Sequence, residues 1–340
     1  MTLAVSVFDG PADTWDNFVR AQGGWTHFHL YGWRRVMETV LSHECIYLVA
    51  RDESQMLRGV LPLVRVRSPV FGHFLVSMPF VNYGGPLGTP EAVRALAERA
   101  AALADDGQVK LLELRSRVSQ PLELPVSHRK ITVVLDLPGQ EEQLWAEFGS
   151  KLRSQVKRPQ KEGVEMRFGP EQVEPFFAVF ARHMRDLGTP TQPKALFRAI
   201  ADGFGDTVWF GCAYHQGRPV AGGAGFRWDA EFEMTWASSL AAYNPIAPNM
   251  LLYWSFMQRA IADRVTLFNF GRCTPGVGTH RFKRQWGSRD EPLWWYQRGA
   301  GASATPSPDD PAFAWGPRIW RHLPLALATA LGPRIVRLIP

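Results

Sequence analysis

VWFGCAYHQGRPVAGGAGFRWDAEFEMTWAS, residues 208–238, is the stretch whose reading decides the fold. Residues 208–214 are apolar and aromatic and stop at His215-Gln216-Gly217-Arg218, a strand followed by a turn. Residues 219–227 and 231–238 read as two further strands. A loop through Pro245 comes next. Leu251, Leu252, Trp254, Met257, Ala260 and Ile261 then recur at helical spacing, which predicts a helix over 248–262. Residues 265–270 (VTLFNF) close the unit as a strand.

The same order stands in the first half. IYLVA (46–50), a polar turn, GVLPLVRV (59–66) and FLVSMPF (74–80) read as three strands, and VKLLEL (109–114) as a fourth. The helix between them starts at Pro90, with Thr89 placed to cap it and Glu91 in its first turn. Two copies offset by roughly 160 residues indicate a duplicated α/β domain with mixed sheets. The expected division is 1–140 and 141–298, a Gly/Ala/Ser/Pro linker at 299–311, and a basic amphipathic tail at 312–340. A chain of 340 residues agrees with two cores.

The net charge of +6 favours anionic partners without choosing among a phosphorylated glycan lipid, CoA, tRNA or an anionic membrane face. Three scattered cysteines and no Cys/His cluster predict neither a disulfide framework nor a metal site. The N-terminus lacks a basic leader, and no apolar run reaches the roughly 20 residues needed to span a bilayer. A cytoplasmic protein is expected, with a peripheral place on the inner membrane face left open. The tail LPLALATAL with Arg318, Arg321, Arg334 and Arg337 reads equally as an interfacial segment or as a terminal helix docked on the body.

Three segments are candidates for binding and chemistry. Asn82, Tyr83 and Gly84 lie in a glycine-rich loop between a strand and a helix. Residues 149–161 carry five basic side chains and no acid, and a helix there puts Arg153 and Lys157 on one face, suited to phosphates. Lys161 joins them if Pro159 does not end the helix. FNFGRCTPGVGTHRFKRQWG, residues 268–287, leaves the end of a strand, where open α/β sheets bind ligands, with Arg272 and Lys283 at its two ends. His27, His29, His43 and His73, scattered among apolar neighbours, read mostly as structural. No GxxxxGK[ST], HExxH or GxSxG stands in the chain, so NTPase, zincin and α/β-hydrolase chemistry lack their parts.

HECIYLVARDESQMLRGVLPLVRVRSPVFGHFLVSMPFVNYGGPL, KLRSQVKRPQKEGV and FNFGRCTPGVGTHRFKRQWG together resemble FemAB-like proteins, in particular the branch associated with PEP-CTERM/exosortase and exopolysaccharide clusters. The resemblance implies two tandem GNAT-like domains and transfer of an aminoacyl or acyl group to an amine of a cell-envelope or exopolysaccharide glycan, or of its precursor. The co-substrate it implies is aminoacyl-tRNA or acyl-CoA, with no bound cofactor. The lysine of the family's FK motif falls on Lys283, which is expected to stabilise negative charge at the reacting carbonyl or on substrate phosphates. Arg272 and the backbone around Gly276, Gly278 and Thr279 are expected to help, with His280 as the nearest base in sequence. Two departures stand beside the resemblance: there is no coiled-coil insertion, and the loop SSLAAYNPIAPNM lacks the RGxGxG/A of ordinary CoA-binding domains. The alternatives are an acyl-CoA-dependent N-acyltransferase on a small molecule or sugar amine, and a non-catalytic scaffold for an anionic polymer or membrane.

Overall fold

The computed structural model describes residues 2–299 and 315–339. The strands are β1 (Ala4–Val7), β2 (Glu44–Arg51), β3 (Leu57–Ser68), β4 (Gly72–Val76), β5 (Leu87–Gly88), β6 (Leu111–Ser116), β7 (Val126–Ser127), β8 (Ile131–Asp136), β9 (Val164–Phe168), β10 (Val208–His215), β11 (Arg218–Trp228), β12 (Glu231–Ser239), β13 (Leu267–Cys273), β14 (Arg289–Pro292) and β15 (Trp294–Gly299). The helices are α1 (Ala12–Arg20), α2 (Gly32–Arg35), α3 (Pro90–Asp106), α4 (Glu141–Glu147), α5 (Ser150–Lys161), α6 (Val173–Leu187), α7 (Lys194–Phe204), α8 (Pro248–Ala262), α9 (Gly278–Arg284), α10 (Trp315–Trp320) and α11 (Leu325–Val336).

The first unit is one sheet in the order β1-β2-β3-β4-β6-β15-β7, with β5 alongside β3. Only β4 and β6 run parallel, because α3 carries the chain back across one face between them. Thr89 caps α3 as its sequence requires, its hydroxyl accepting from the Ala92 N–H at 3.3 Å. The inner face of α3 is Ala92, Leu96, Ala97, Ala100 and Ala104, so the helix sits close on Leu48, Leu61, Leu75 and Leu112. The sequence places strand residues through Phe80, but β4 stops at Val76. Met78 and Phe80 both take left-handed backbone angles (φ 57° and 70°), which no strand continues through.

The second unit repeats the plan in the order β14-β8-β13-β12-β11-β10-β9. Here β12 and β13 form the parallel pair and α8 is the crossover. Its core is aromatic: Trp209 stacks on Phe232 at 4.4 Å, and Phe232 on Phe256 at 5.5 Å. Fully buried rings such as Phe256 and Phe268 contribute about 2–3 kcal/mol each by leaving water. The other face is covered by α6 and α7, which the repeat does not anticipate.

The units do not divide at 140/141 as the sequence reading placed them. The break falls between Lys130 and Ile131, and the chain returns to the first unit near Pro292. The cause is hydrogen bonding: β8 pairs antiparallel with β13, and β15 pairs antiparallel with β6. The expected linker lies outside the described residues from 300 to 311, while Gly299 is the last residue of β15. Residues 315–336 of the tail dock on the second unit, with α10 and α11 against α6. Among the described residues no helix is long and apolar enough to cross a membrane.

Candidate functional site

The parallel pair β12–β13 is short. Cα partners run only from Glu231 with Leu267 to Glu233 with Asn269, and beyond that point the two strands part. At the same place β13 shifts register against β8, between Asn269 and Arg272. Gly271 sits in this irregularity at φ 72°, a conformation costly for any residue with a Cβ. The buried Asn269 amide fixes the bend. Its Oδ1 accepts from the Thr132 hydroxyl at 2.6 Å and from the Gly271 N–H at 2.8 Å. Its Nδ2 donates to Glu231 Oε1 at 2.9 Å and to Glu233 Oε2 at 3.4 Å. Thr235 donates to the other oxygen of Glu233 at 3.1 Å.

The bend turns two carbonyls toward one cation. Lys283, on α9, donates from Nζ to the Gly271 carbonyl at 2.6 Å and to the Arg272 carbonyl at 3.0 Å. An ammonium has three donors, and the two carbonyls take two of them. Lys283 is 7% exposed. Burial lowers its pKa from 10.5 to about 8; Cys273 and Glu233 oppose this by attraction, and Arg272 adds to it by repulsion. Trp286 anchors the end of α9, packing on Phe148 at 5.6 Å. Sequence reasoning paired Lys283 with Arg272, and the structure brings the two together at the end of β13. It missed Glu231, Glu233 and Asn269, whose alternation in EFEM and FNF reads as an ordinary strand surface.

Gly276, Gly278 and Thr279 form the exposed start of α9 and the turn before it. His280 ties that turn down: its Nδ1 accepts from the Gly276 N–H at 3.0 Å, so the ring proton lies on Nε2, 2.9 Å from Asp290 Oδ2. Both ring nitrogens are thereby engaged. In this geometry His280 orders the loop and offers no open lone pair for an amine proton, contrary to the base expected from its place in sequence.

The basic stripe of α5 is continuous. The helix runs through Pro159, which shares the buried face with Leu152 and Val156, to Lys161. On its other side Arg153, Lys157 and Lys161 line a concavity of 410 Å³ with Trp145, Ser150 and Ser154. Among the described residues no acid lines it, and the Lys157 ammonium lies 5.5 Å from the Trp145 ring centroid. Cations and hydroxyls of this kind suit a phosphate group, and the Trp145 ring steadies the Lys157 ammonium.

The 82–84 loop, expected to be a ligand wall, is packed inside the first unit. Tyr83 has no exposed surface and its ring contacts Phe28 at 5.6 Å. The Gly84 N–H donates to the Arg115 carbonyl at 3.0 Å, and a Cβ there would strike Met78. Asn82 is 7% exposed. The loop is held by its packing and leaves Tyr83 no surface for a ligand.

Of the four histidines expected to be structural, His27 and His29 are enclosed and are held neutral by burial, with pKa values lowered to about 3 and about 4. His29 Nε2 lies 2.9 Å from the Gly85 carbonyl. His43, also lowered to about 4 by burial, stacks on Phe80. His73 is exposed. The three cysteines are buried and unbridged. Among the described residues no group of three or more His, Cys, Asp or Glu is arranged to hold a metal ion.

Residues 147–284 match the model of the acetyltransferase (GNAT) domain. The matched segment runs from the end of α4 to the end of α9 and holds the α5 stripe, the bend of β13 and Lys283. The chain is an acyltransferase with two GNAT-like domains in tandem. Solved structures share its fold over most of its length. The crystal structure of FemX is 13% identical with a TM-score of 0.66, covering 87% of this chain and 97% of that one. The C-terminal domain of a putative lysylphosphatidylglycerol synthetase from Agrobacterium fabrum is 14% identical with a TM-score of 0.59, covering 86% and 93%. A tandem GNAT protein from the clavulanic acid biosynthesis pathway is 12% identical with a TM-score of 0.52, covering 90% and 100%. No curated protein matches the sequence.

Proposed function

We propose that this chain, working in the cytoplasm, forms an amide by moving an aminoacyl or acyl group onto an amine. The amine belongs to a cell-envelope or exopolysaccharide-related glycan or to its precursor. The observation that carries the reading is the buried Lys283 ammonium, held by two carbonyls at the point where β12 and β13 part. An amine attacking an ester or thioester carbonyl forms a tetrahedral oxyanion, and a preorganised donor aimed at that oxygen is worth roughly 3–4 kcal/mol. Lys283 is that donor, with Arg272 and the backbone N–H groups of 277–279 adding to the positive field. The C–O or C–S bond to the leaving group then breaks, and the amine proton passes to the leaving group or to solvent. His280 holds the 276–280 loop in place, and Arg153 and Lys157 bind phosphates of donor or acceptor.

Likeness to FemX and to a lysylphosphatidylglycerol synthetase domain supports an aminoacyl donor, and resemblance to the exosortase-associated branch supports an exopolysaccharide-related acceptor. The match to the acetyltransferase domain model favours a second reading, in which the donor is an acyl-CoA and the acceptor a small-molecule or sugar amine. A rise in melting temperature with CoA, absent with aminoacyl-tRNA, selects the second. In a transfer assay with purified protein, Lys283→Ala is expected to lose about 10²–10³-fold in rate. His280→Gln is expected to lose less than about tenfold, well short of what removing a general base costs. Because the ammonium is the working form, the wild-type rate falls as pH rises through about 8. Full turnover by a folded Lys283→Ala protein removes Lys283 from the chemistry.

A further inference from the structure

A terminal helix that only completes a core buries its large side chains and shows its small ones to water. The helix α11 does the reverse. Its docked positions are Ala328, 2% exposed, and the buried Gly332. Gly332 lies so close to Thr191 that a Cβ on it would come within 2.8 Å of the Thr191 backbone nitrogen. Leu327, Leu331 and Ile335, spaced by four and therefore on one stripe, are 51%, 41% and 37% exposed. Ile319 on α10 is 57% exposed. The segment is anchored, with Arg185 donating to the Arg321 and Leu323 carbonyls and Arg321 to the Leu187 carbonyl. An ordered helix thus turns Leu327, Leu331 and Ile335 outward, while Leu325 and Val336 are half-buried.

Charge narrows the choice of partner. From 311 to 340 the sequence has no acid and four arginines: 318, 321, 334 and 337. Arg318 and Arg334 are exposed beside the apolar positions. A second copy meeting this face by two-fold symmetry brings these arginines against their own copies, which is repulsive, and the Asp186 carboxylate beside the tail is already paired with Arg185 at 2.8 Å. An anionic bilayer supplies both missing parts: phosphates for the guanidinium groups, and an acyl boundary into which such a helix sinks by about 5–10 Å.

We propose that the outward face of α11, together with α10, docks on the surface of an anionic lipid bilayer. Leu327, Leu331 and Ile335 enter the acyl boundary, and Arg318 and Arg334 meet headgroup phosphates. The docking is independent of the chemistry assigned to Lys283, so a Lys283→Ala protein floats with vesicles as the wild type does.

The test is flotation of the full chain with vesicles of phosphatidylcholine alone or of equimolar phosphatidylcholine and phosphatidylglycerol. The wild type is expected to float with the anionic vesicles, less so as salt is raised, and to stay behind with the neutral ones. Combined Leu327→Ser, Leu331→Ser and Ile335→Ser lowers the partition at least about tenfold. Arg334→Gln lowers it about fivefold, the effect of one cation near such a surface. Both changes are solvent-facing, and unchanged melting temperatures verify that the docked face is intact. Equal partition onto neutral and anionic vesicles overturns the proposal, as does undiminished flotation of either variant. A wild-type dimer in sedimentation that the triple variant dissolves overturns it in favour of a second copy.

Discussion

Lys283→Met separates the cost of burying the ammonium from everything else in the molecule. The wild-type lysine is lowered from 10.5 to about 8, first by loss of water around it. Each tenfold in proton affinity is worth about 1.4 kcal/mol, so the folded state opposes the charged form by about 3 kcal/mol. The sign follows from proton counts. Below pH 8 both folded and unfolded chains keep the proton, and the penalty is full. Between about 8 and 10.5 the unfolded chain holds a proton that the folded chain has released, so stability rises with pH across that window. Above it both are neutral and the penalty is gone.

The variant carries no such group. It loses the hydrogen bonds to the Gly271 and Arg272 carbonyls, a deficit of about 1–3 kcal/mol per orphaned carbonyl that does not depend on pH. The difference in unfolding free energy, wild type minus variant, therefore climbs by about 3 kcal/mol from pH 8 to 10.5. Urea unfolding followed by tryptophan fluorescence at several pH values measures it, read on the transition of the second unit, since a two-unit chain need not unfold in one step. Titrations common to both proteins cancel in the difference. A flat difference across the window refutes the reasoning: Lys283 then titrates near its ordinary value and its burial carries no electrostatic cost.

Asn269→Ala leaves the Thr132 hydroxyl, the Gly271 N–H and two carboxylates without their shared partner. It is expected to destabilise by about 3 kcal/mol in urea unfolding and to lower the transfer rate through the displaced Gly271 carbonyl, although Asn269 itself touches no substrate. Arg153→Ala combined with Lys157→Ala changes half-exposed and exposed positions. It should leave the melting temperature within a degree or two of the wild type while raising KM for the phosphorylated substrate about tenfold or more, with kcat nearly unchanged.

The local signals in the sequence were strong and the distant ones silent. Thr89 and Pro90 mark the start of α3 because a cap is written within four residues. The period of 3.6 aligns Arg153, Lys157 and Lys161, and the cavity they line follows from that alignment. By contrast, Ile131–Asp136 and Trp294–Gly299 stand outside the repeat read from the sequence, and only their hydrogen-bond partners, more than a hundred residues away in the chain, assign them to a unit. The same distance hides the buried network. Glu231 and Glu233 alternate with Phe232 and Met234 as solvent-facing residues do, and they become interior because β13, β8 and Lys283 close over them. His280 shows the limit of proximity in sequence: it lies three residues from Lys283, yet its ring nitrogens are committed to Gly276 and Asp290.

The position of β15 between β6 and β7 constrains how the chain is made. On the ribosome, the first sheet emerges without the strand that completes it, and that strand follows only after β8 to β14 of the second unit. Until then the outer side of β6 presents a row of unsatisfied backbone groups, an invitation to pair with another nascent chain. A translation product stopped before residue 294 therefore carries an open-edged first sheet and a second unit still without α10 and α11, and the chaperone dependence of the first sheet tracks the arrival of residues 294–299.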